Sequence, residues 1–208
     1  MLKIVLATKN IGKIVEFERL LGQVSNSIQV LGLNEFPDMP EVAESGTTLS
    51  ENARLKAQAI ANFTKLPALA DDSGLFIDAL NGDPGVFSAR WANYQGESSK
   101  ERDLANIKKV LIQLEKTPVS DRSASFKAVV AYCDSRNYPQ VIEKEELGVL
   151  KGEVLLEPVG DGGFGYDPIF KPTGFDKSLA QLPAGVKDEI SHRGIAVRAI
   201  LPFIKSHL

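Results

Sequence analysis

The chain has 208 residues, with 24 Lys and Arg against 27 Asp and Glu, a single Cys and two His. That length buries a sizeable core without disulfide staples, and the slightly acidic balance excludes a general binder of nucleic acid or of a membrane surface. One cysteine and two histidines are too few for a zinc site of the usual ligand count, and no G-x-S-x-G elbow anchors Ser-His-Asp chemistry.

KIVLA, residues 3–7, reads as a first strand, too short for a signal peptide or a membrane span. The polar loop TKNIG follows, and Ile14, Phe17 and Leu21, at i, i+3 and i+7, predict an amphipathic helix. After a short strand near IQVL and an acidic loop with proline, Leu49, Ala53, Ala57 and Ile60 share one helical face, with Thr47 or Thr48 as its cap. ALADDSG and LFIDAL predict a strand, a turn and a second short strand. NGDPG breaks the chain, and Leu104, Ile107 and Leu111 carry helical spacing.

The second half changes character. SASFKAVVAYC and QVIEKEELGVLKGEVL, separated by DSRNYP, predict an antiparallel hairpin; GDGGFGYDPIF is a glycine-dense loop ending in a short strand; HRGIAVRAILPFIKSH closes the chain as a helix. Cys133 in FKAVVAYCD reads as a small buried hydrophobe, which fits a cytoplasmic protein. No repeat, low-complexity tract or linker marks a boundary, so residues 1–208 are expected to form a single domain. The expected fold class is α/β: a mixed β-sheet with flanking helices and a substrate cleft between an α/β half and a more β-rich half.

Four constellations could carry chemistry. ATKNIGK, with Lys9 and Lys13, presents backbone N–H groups near a helix N-terminus, either a phosphate site or an ordinary strand-to-helix loop. Glu44, Glu51 and the Asp71-Asp72 pair form an oxygen-rich set suited to Mg²⁺ and a substrate phosphate, or else a solvated acidic face. In GGFGYDP, Phe164 and Tyr166 offer faces for a nucleobase or pack a tight turn. In KDEISHRG, Lys187, His192 and Arg193 cluster donors for a base edge or an anion, or start a helix.

Taken in order, ATKNIGKIVEF, ESGTTLSENARLKA, ALADDSGLFIDALNGDPGVFSARW, GGFGYDPIF and ISHRG resemble the inosine/xanthosine triphosphate pyrophosphatase family, from about residue 2 to about residue 205. The resemblance implies hydrolysis of deaminated purine nucleoside triphosphates (ITP, dITP, XTP) to monophosphate and pyrophosphate. It also implies an elongated α/β fold of two lobes around a deep cleft, a homodimer and Mg²⁺ dependence. Carried over, Thr8, Lys9, Asn10, Ile11, Gly12 and Lys13 would hold the triphosphate, with Lys56 adding positive charge. Asp72 would be the catalytic carboxylate and a metal ligand, with Ser73 contacting substrate. Phe164, Gly165, Tyr166 and Asp167 would form the base and sugar pocket, and Lys187, His192 and Arg193 would close over the nucleotide and read its base. Ala43 stands where some relatives carry a second acid, so the other metal ligand is assigned to Glu44, with Glu41 and Glu51 as substitutes. Arg90 matches a family position without an assigned role, and Asp71 is left a supporting one.

Overall fold

In the computed structural model, residues 2–9, 11–22 and 28–207 are described. The strands are β1 (Leu2–Leu6), β2 (Ile28–Gly32), β3 (Ala68–Ile77), β4 (Ser123–Asp134), β5 (Ile142–Val154) and β6 (Phe170–Pro172). The α-helices are α1 (Ile11–Gly22), α2 (Leu49–Thr64), α3 (Ser99–Gln113), α4 (Ala184–Ile190) and α5 (His192–Ser206). The strands form one sheet in the order β2-β1-β3-β4-β5-β6. It is mixed: β1 runs parallel to β2, from Leu2 beside Ile28 to Leu6 beside Gly32, and parallel to β3, while β5 and β6 are antiparallel.

The chain divides into two compact units, each drawn from discontinuous segments. The first comprises residues 1–72, 128–148 and 192–208. Its core is explained by two periodicities meeting. Ile4 and Leu6, alternate positions of β1, pack with Leu69 of β3 and with Phe17, Leu20 and Leu21 of α1, and Ala196, Val197, Ile200, Leu201 and Ile204 of α5 complete the cluster. On α2, Leu49, Ala53, Ala57 and Ile60 are all buried, as their spacing predicts. The helix starts at a capping box: the Thr48 side chain accepts from the Glu51 N–H and the Glu51 carboxylate accepts from the Thr48 N–H.

The second unit comprises residues 73–127 and 149–191. Leu75 and Ile77 of β3, Phe126 of β4, Val154 of β5, Ile107 and Val110 of α3, and Tyr166, Ile169 and Phe170 form its core. The Phe126 and Phe170 ring centroids lie 4.6 Å apart. Arg122 is buried among backbone carbonyls, donating to Leu114, Thr117 and Leu155.

Two local expectations are corrected. Residues 68–77 form one continuous strand, with no turn at Asp71-Asp72-Ser73-Gly74. The aspartates are buried and partnered, so their polarity is no loop signal, and Gly74 serves close packing: a Cβ there would overlap the Gly85 carbonyl oxygen. On α3, Ile107 is buried as its spacing predicts, but Leu104 is 54% exposed, and Asn106 and Val110 complete the buried face. Asn106 belongs inside because its amide accepts from the Ala92 N–H and donates to the Ser88 and Ala89 carbonyls.

Candidate active site

In the first unit the functional side chains gather around β3. Successive residues of a strand point to opposite faces, and the partners of the two aspartates follow that rule. Asp71 receives both of its oxygens' bonds from Lys13 of α1, at 3.1 Å each, and one from Arg193 Nε of α5 at 3.1 Å. Asp72 is met by α2: Lys56 Nζ donates to its Oδ1 at 3.0 Å, and Asn52 Nδ2 to its Oδ2 at 3.3 Å. Lys56 also donates to Glu44 Oε1 at 3.1 Å and to the Asp71 carbonyl at 2.8 Å.

Lys56 therefore stands at a point on which Glu44 and Asp72 converge. Burial pushes the Asp72 carboxyl above its ordinary value, and Glu44 adds to that rise while Lys56 opposes it. Burial also works against the Lys56 charge, but Asp72, Asp71 and Glu44 outweigh it and hold that pKa above its ordinary value. Asp71 responds in the opposite direction to Asp72. Burial raises it, but Lys13, Arg193 and Lys56 together hold it far below the usual carboxylate range. Lys13, desolvated and flanked by Arg193 and Lys56, has its pKa lowered in spite of Asp71.

Among the described residues, no three His, Cys, Asp or Glu side chains gather into a metal cage. Glu44 and Asp72 remain a two-carboxylate set, both within 3.1 Å of one ammonium. Hard oxygen donors in that number fit Mg²⁺, which takes one or two carboxylates plus substrate phosphate oxygens. Glu51 is otherwise engaged: its Oε2 accepts from the Thr47 N–H, the Thr47 hydroxyl and the Thr48 N–H.

A cavity of about 350 Å³ adjoins this cluster, lined by Thr8, Lys9, Met39, Glu41 and Lys56 among others. That volume lies within the range of small-ligand sites. Thr8 and Lys9 leave β1 just before α1 begins at Ile11, so Gly12 and Lys13 sit in a first helical turn whose N–H groups lack intrahelical acceptors. Asn10 lies outside the described residues.

Ser73, half-buried on β3, begins the second unit, which also holds the loop expected to take the base. Here the two aromatics separate. Phe164 is 37% exposed, whereas Tyr166 is 5% exposed within the core and donates its hydroxyl to the Ser88 carbonyl at 2.8 Å. Tyr166 thus anchors the loop and does not offer a face for stacking. Asp167, also buried, accepts from the Phe164 N–H at 3.0 Å and is paired with Lys187, whose ammonium lies 5.1 Å from the Phe164 ring centroid. Gly165 donates its N–H to Asp103 at 2.8 Å.

His192 and Arg193, which open α5, belong to the first unit and are buried. Arg193 Nη1 donates to Glu16 at 2.6 Å and its Nε to Asp71, which engages those donors with two carboxylates of the same unit. Arg90 is exposed and lies over the Phe87 ring, 5.3 Å from its centroid.

Sequence reasoning missed Asn52, Glu16, Asp103 and Ser88. A signal existed for Asn52: it precedes Lys56 by one helical turn and interrupts an apolar face with a residue of poor helix propensity.

The chain is similar to known proteins along nearly its whole length. The model of the Ham1 family matches residues 4–203. A dITP/XTP pyrophosphatase of Streptomyces coelicolor is 43% identical over 208 residues, covering all of both chains. One from Geobacter sulfurreducens is 44% identical over 208 residues, covering all of this chain and 97% of that protein. The solved structure of a HAM1 protein from Coxiella burnetii superposes with a TM-score of 0.83 at 43% identity, covering 99% of this chain and all of that one. The Ham1 protein of Staphylococcus aureus gives a TM-score of 0.83 at 38% identity with the same coverage.

Proposed function

The chain belongs to the Ham1 family, and we propose that it hydrolyses deaminated purine nucleoside triphosphates to the monophosphate and pyrophosphate with Mg²⁺ as cofactor. The observation that carries the residue assignment is the convergence of Glu44, Asp72 and Lys56 beside a cavity lined by Thr8 and Lys9. Full-length relatives named dITP/XTP pyrophosphatase supply the substrate class.

Water attacks the α-phosphorus, the bridging P–O bond toward the β-phosphorus breaks, and pyrophosphate leaves. Residues 8–13 and Lys56 neutralise and position the triphosphate, the dominant requirement of such transfers. Asp72, whose pKa burial has raised, orients the attacking water and takes its proton. Glu44 and Asp72 would hold Mg²⁺, which when bound polarises the phosphate and offsets its charge. Lys13 reaches the phosphates from its seat on Asp71, and Ser73 contacts substrate.

For the base, Phe164 supplies the stacking face, with Gly165, Asp167 and Lys187 around it, while Tyr166 fixes the loop. His192 offers a donor to the 6-oxo group of hypoxanthine or xanthine. Adenine presents an amino donor there, and a buried donor left unpaired costs about 1–3 kcal/mol. Arg193 positions Asp71 and Lys13.

Because β3, β4 and β5 each contribute residues to both units, the two are proposed to fold as one domain. The family resemblance further supports a homodimer and cytoplasmic residence, and among the described residues no helix is long and apolar enough to cross a membrane. The decisive experiment measures kcat/KM for ITP, XTP, GTP and ATP with identification of products. Monophosphate and pyrophosphate from ITP and XTP, with ATP at least tenfold poorer, is the expected outcome. Equal values for ITP and ATP would defeat the base assignment.

A further inference from the structure

Asn52 is completely buried, and both ends of its amide are in use. Nδ2 donates to Asp72 Oδ2 at 3.3 Å, and Oδ1 accepts from the Gly46 N–H at 2.8 Å. These partners settle the amide's orientation, because a carboxylate only accepts and a backbone N–H only donates. Gly46 lies two residues beyond Glu44, and the Ser45 N–H donates to the Ala43 carbonyl, which folds the intervening chain tightly. One side chain thus ties the segment that carries Glu44 to Asp72.

Gly46 provides a second, independent observation. A Cβ at that position would stand 2.6 Å from Glu51 Cβ and 2.7 Å from Asn52 Oδ1. Only glycine lets the backbone come close enough for the bond to Asn52. Asn52 itself is held rigidly, one helical turn from Lys56 on a helix whose start is fixed by the Thr48 and Glu51 capping box. Helix, loop and strand therefore meet through one amide.

We propose that Asn52 is a positioning residue for the carboxylate pair: it sets the separation of Glu44 from Asp72, and with it the affinity of the pair for a divalent cation. The inference rests on the reading that Glu44 and Asp72 hold the metal. Outer partners that orient ligating groups change metal affinity by about 10- to 100-fold when removed. Asn52 touches neither phosphate nor metal in this scheme; it acts through the two acids.

The test is titration of the free enzyme with Mn²⁺ alone, followed by electron paramagnetic resonance, for wild type, Glu44→Gln, Asn52→Ala and Gly46→Ala, with thermal unfolding of each. Asn52→Ala removes both links, adds no charge and favours the helix, so its folding is the better secured. Expected is a Kd for Mn²⁺ raised at least tenfold by Glu44→Gln and by Asn52→Ala, with Gly46→Ala following Asn52→Ala. In turnover at saturating metal, Asn52→Ala should lower kcat more than it raises KM for ITP. A lowered Tm with wild-type Mn²⁺ affinity in Asn52→Ala, while Glu44→Gln binds weakly, would overturn the positioning role alone. Wild-type affinity in Glu44→Gln would remove the carboxylate reading, and the inference with it.

Discussion

Asp71 and Arg193, 122 positions apart in the chain, meet in a buried ion pair, with the guanidinium Nε 3.1 Å from the carboxylate. Lys13 and Glu16 complete the group, so that two cations face two anions. Each charge is desolvated, and burial alone would make all four unfavourable. Mutual pairing reverses that for Asp71 and Arg193, pressing the first pKa down and the second up. Asp71 thereby acquires a definite role. It fixes the lysine proposed for the phosphates and leaves the adjacent Asp72 to a separate set of partners.

Removing one member of this group leaves a buried charge without its counterpart. Asp71→Asn and Arg193→Met are each expected to destabilise the fold by about 3–5 kcal/mol. Urea unfolding checks this: the midpoint should fall in both variants with the slope unchanged. A loss under about 1 kcal/mol in both would show that the pairs contribute no more than surface ones do.

How far these features are legible in the sequence depends on how far apart the partners lie. On α2 everything needed is local: Leu49, Ala53, Ala57 and Ile60 repeat at helical spacing, Thr48 and Glu51 are three apart, and all behave as the pattern predicts. From sequence, β3 reads as two strands and a turn because the stabilising partners of its acids are remote, Lys13 by 58 positions and Arg193 by 122. The same holds for Tyr166. Nothing within GGFGYDP distinguishes it from Phe164, and its burial is fixed by Ser88, 78 positions away. Local periodicity identifies elements; it does not say which polar groups a distant segment will satisfy.

Asp72→Asn keeps the shape of the side chain while removing its charge and its capacity to take a proton. The expected loss in kcat is about 10²- to 10⁴-fold, with circular dichroism unchanged. Steady-state kinetics on ITP, with pyrophosphate detected directly, provides the measurement. Turnover near that of wild type would take Asp72 out of the catalytic role. Glu51→Gln provides the contrast, since its carboxylate serves the cap of α2: the midpoint of Mg²⁺ activation should stay at the wild-type concentration.

Asp134 links stability to pH. Burial raises its pKa, but bonds from the Arg136 guanidinium and N–H prevail and hold it below the ordinary value. A carboxylate depressed in the folded state stabilises it fully above the unfolded pKa, about 3.9, and loses that contribution as pH falls through the folded value. Wild type should therefore lose stability relative to Asp134→Asn as pH is lowered below about 4. Chemical denaturation of both at pH 7 and at several points below 4 tests the sign, and a constant difference across that range would refute it.

Phe164 and Tyr166 offer the sharpest separation of binding from folding, because they sit two residues apart with opposite burial. Stacking on an aromatic is worth about 1–3 kcal/mol per base, so Phe164→Ala should raise KM for ITP by about tenfold or more while leaving Tm near that of wild type. Tyr166→Phe keeps the ring in the core and deletes only the bond to the Ser88 carbonyl. A typical hydrogen bond contributes about 1 kcal/mol net, and the stranded carbonyl adds a further cost. That variant should unfold at lower urea with KM within about twofold of wild type. Measured together, the pair should show one variant shifted in KM and the other in stability. A large KM effect from Tyr166→Phe with unchanged stability would mean that its hydroxyl, not the Phe164 ring, meets the nucleotide.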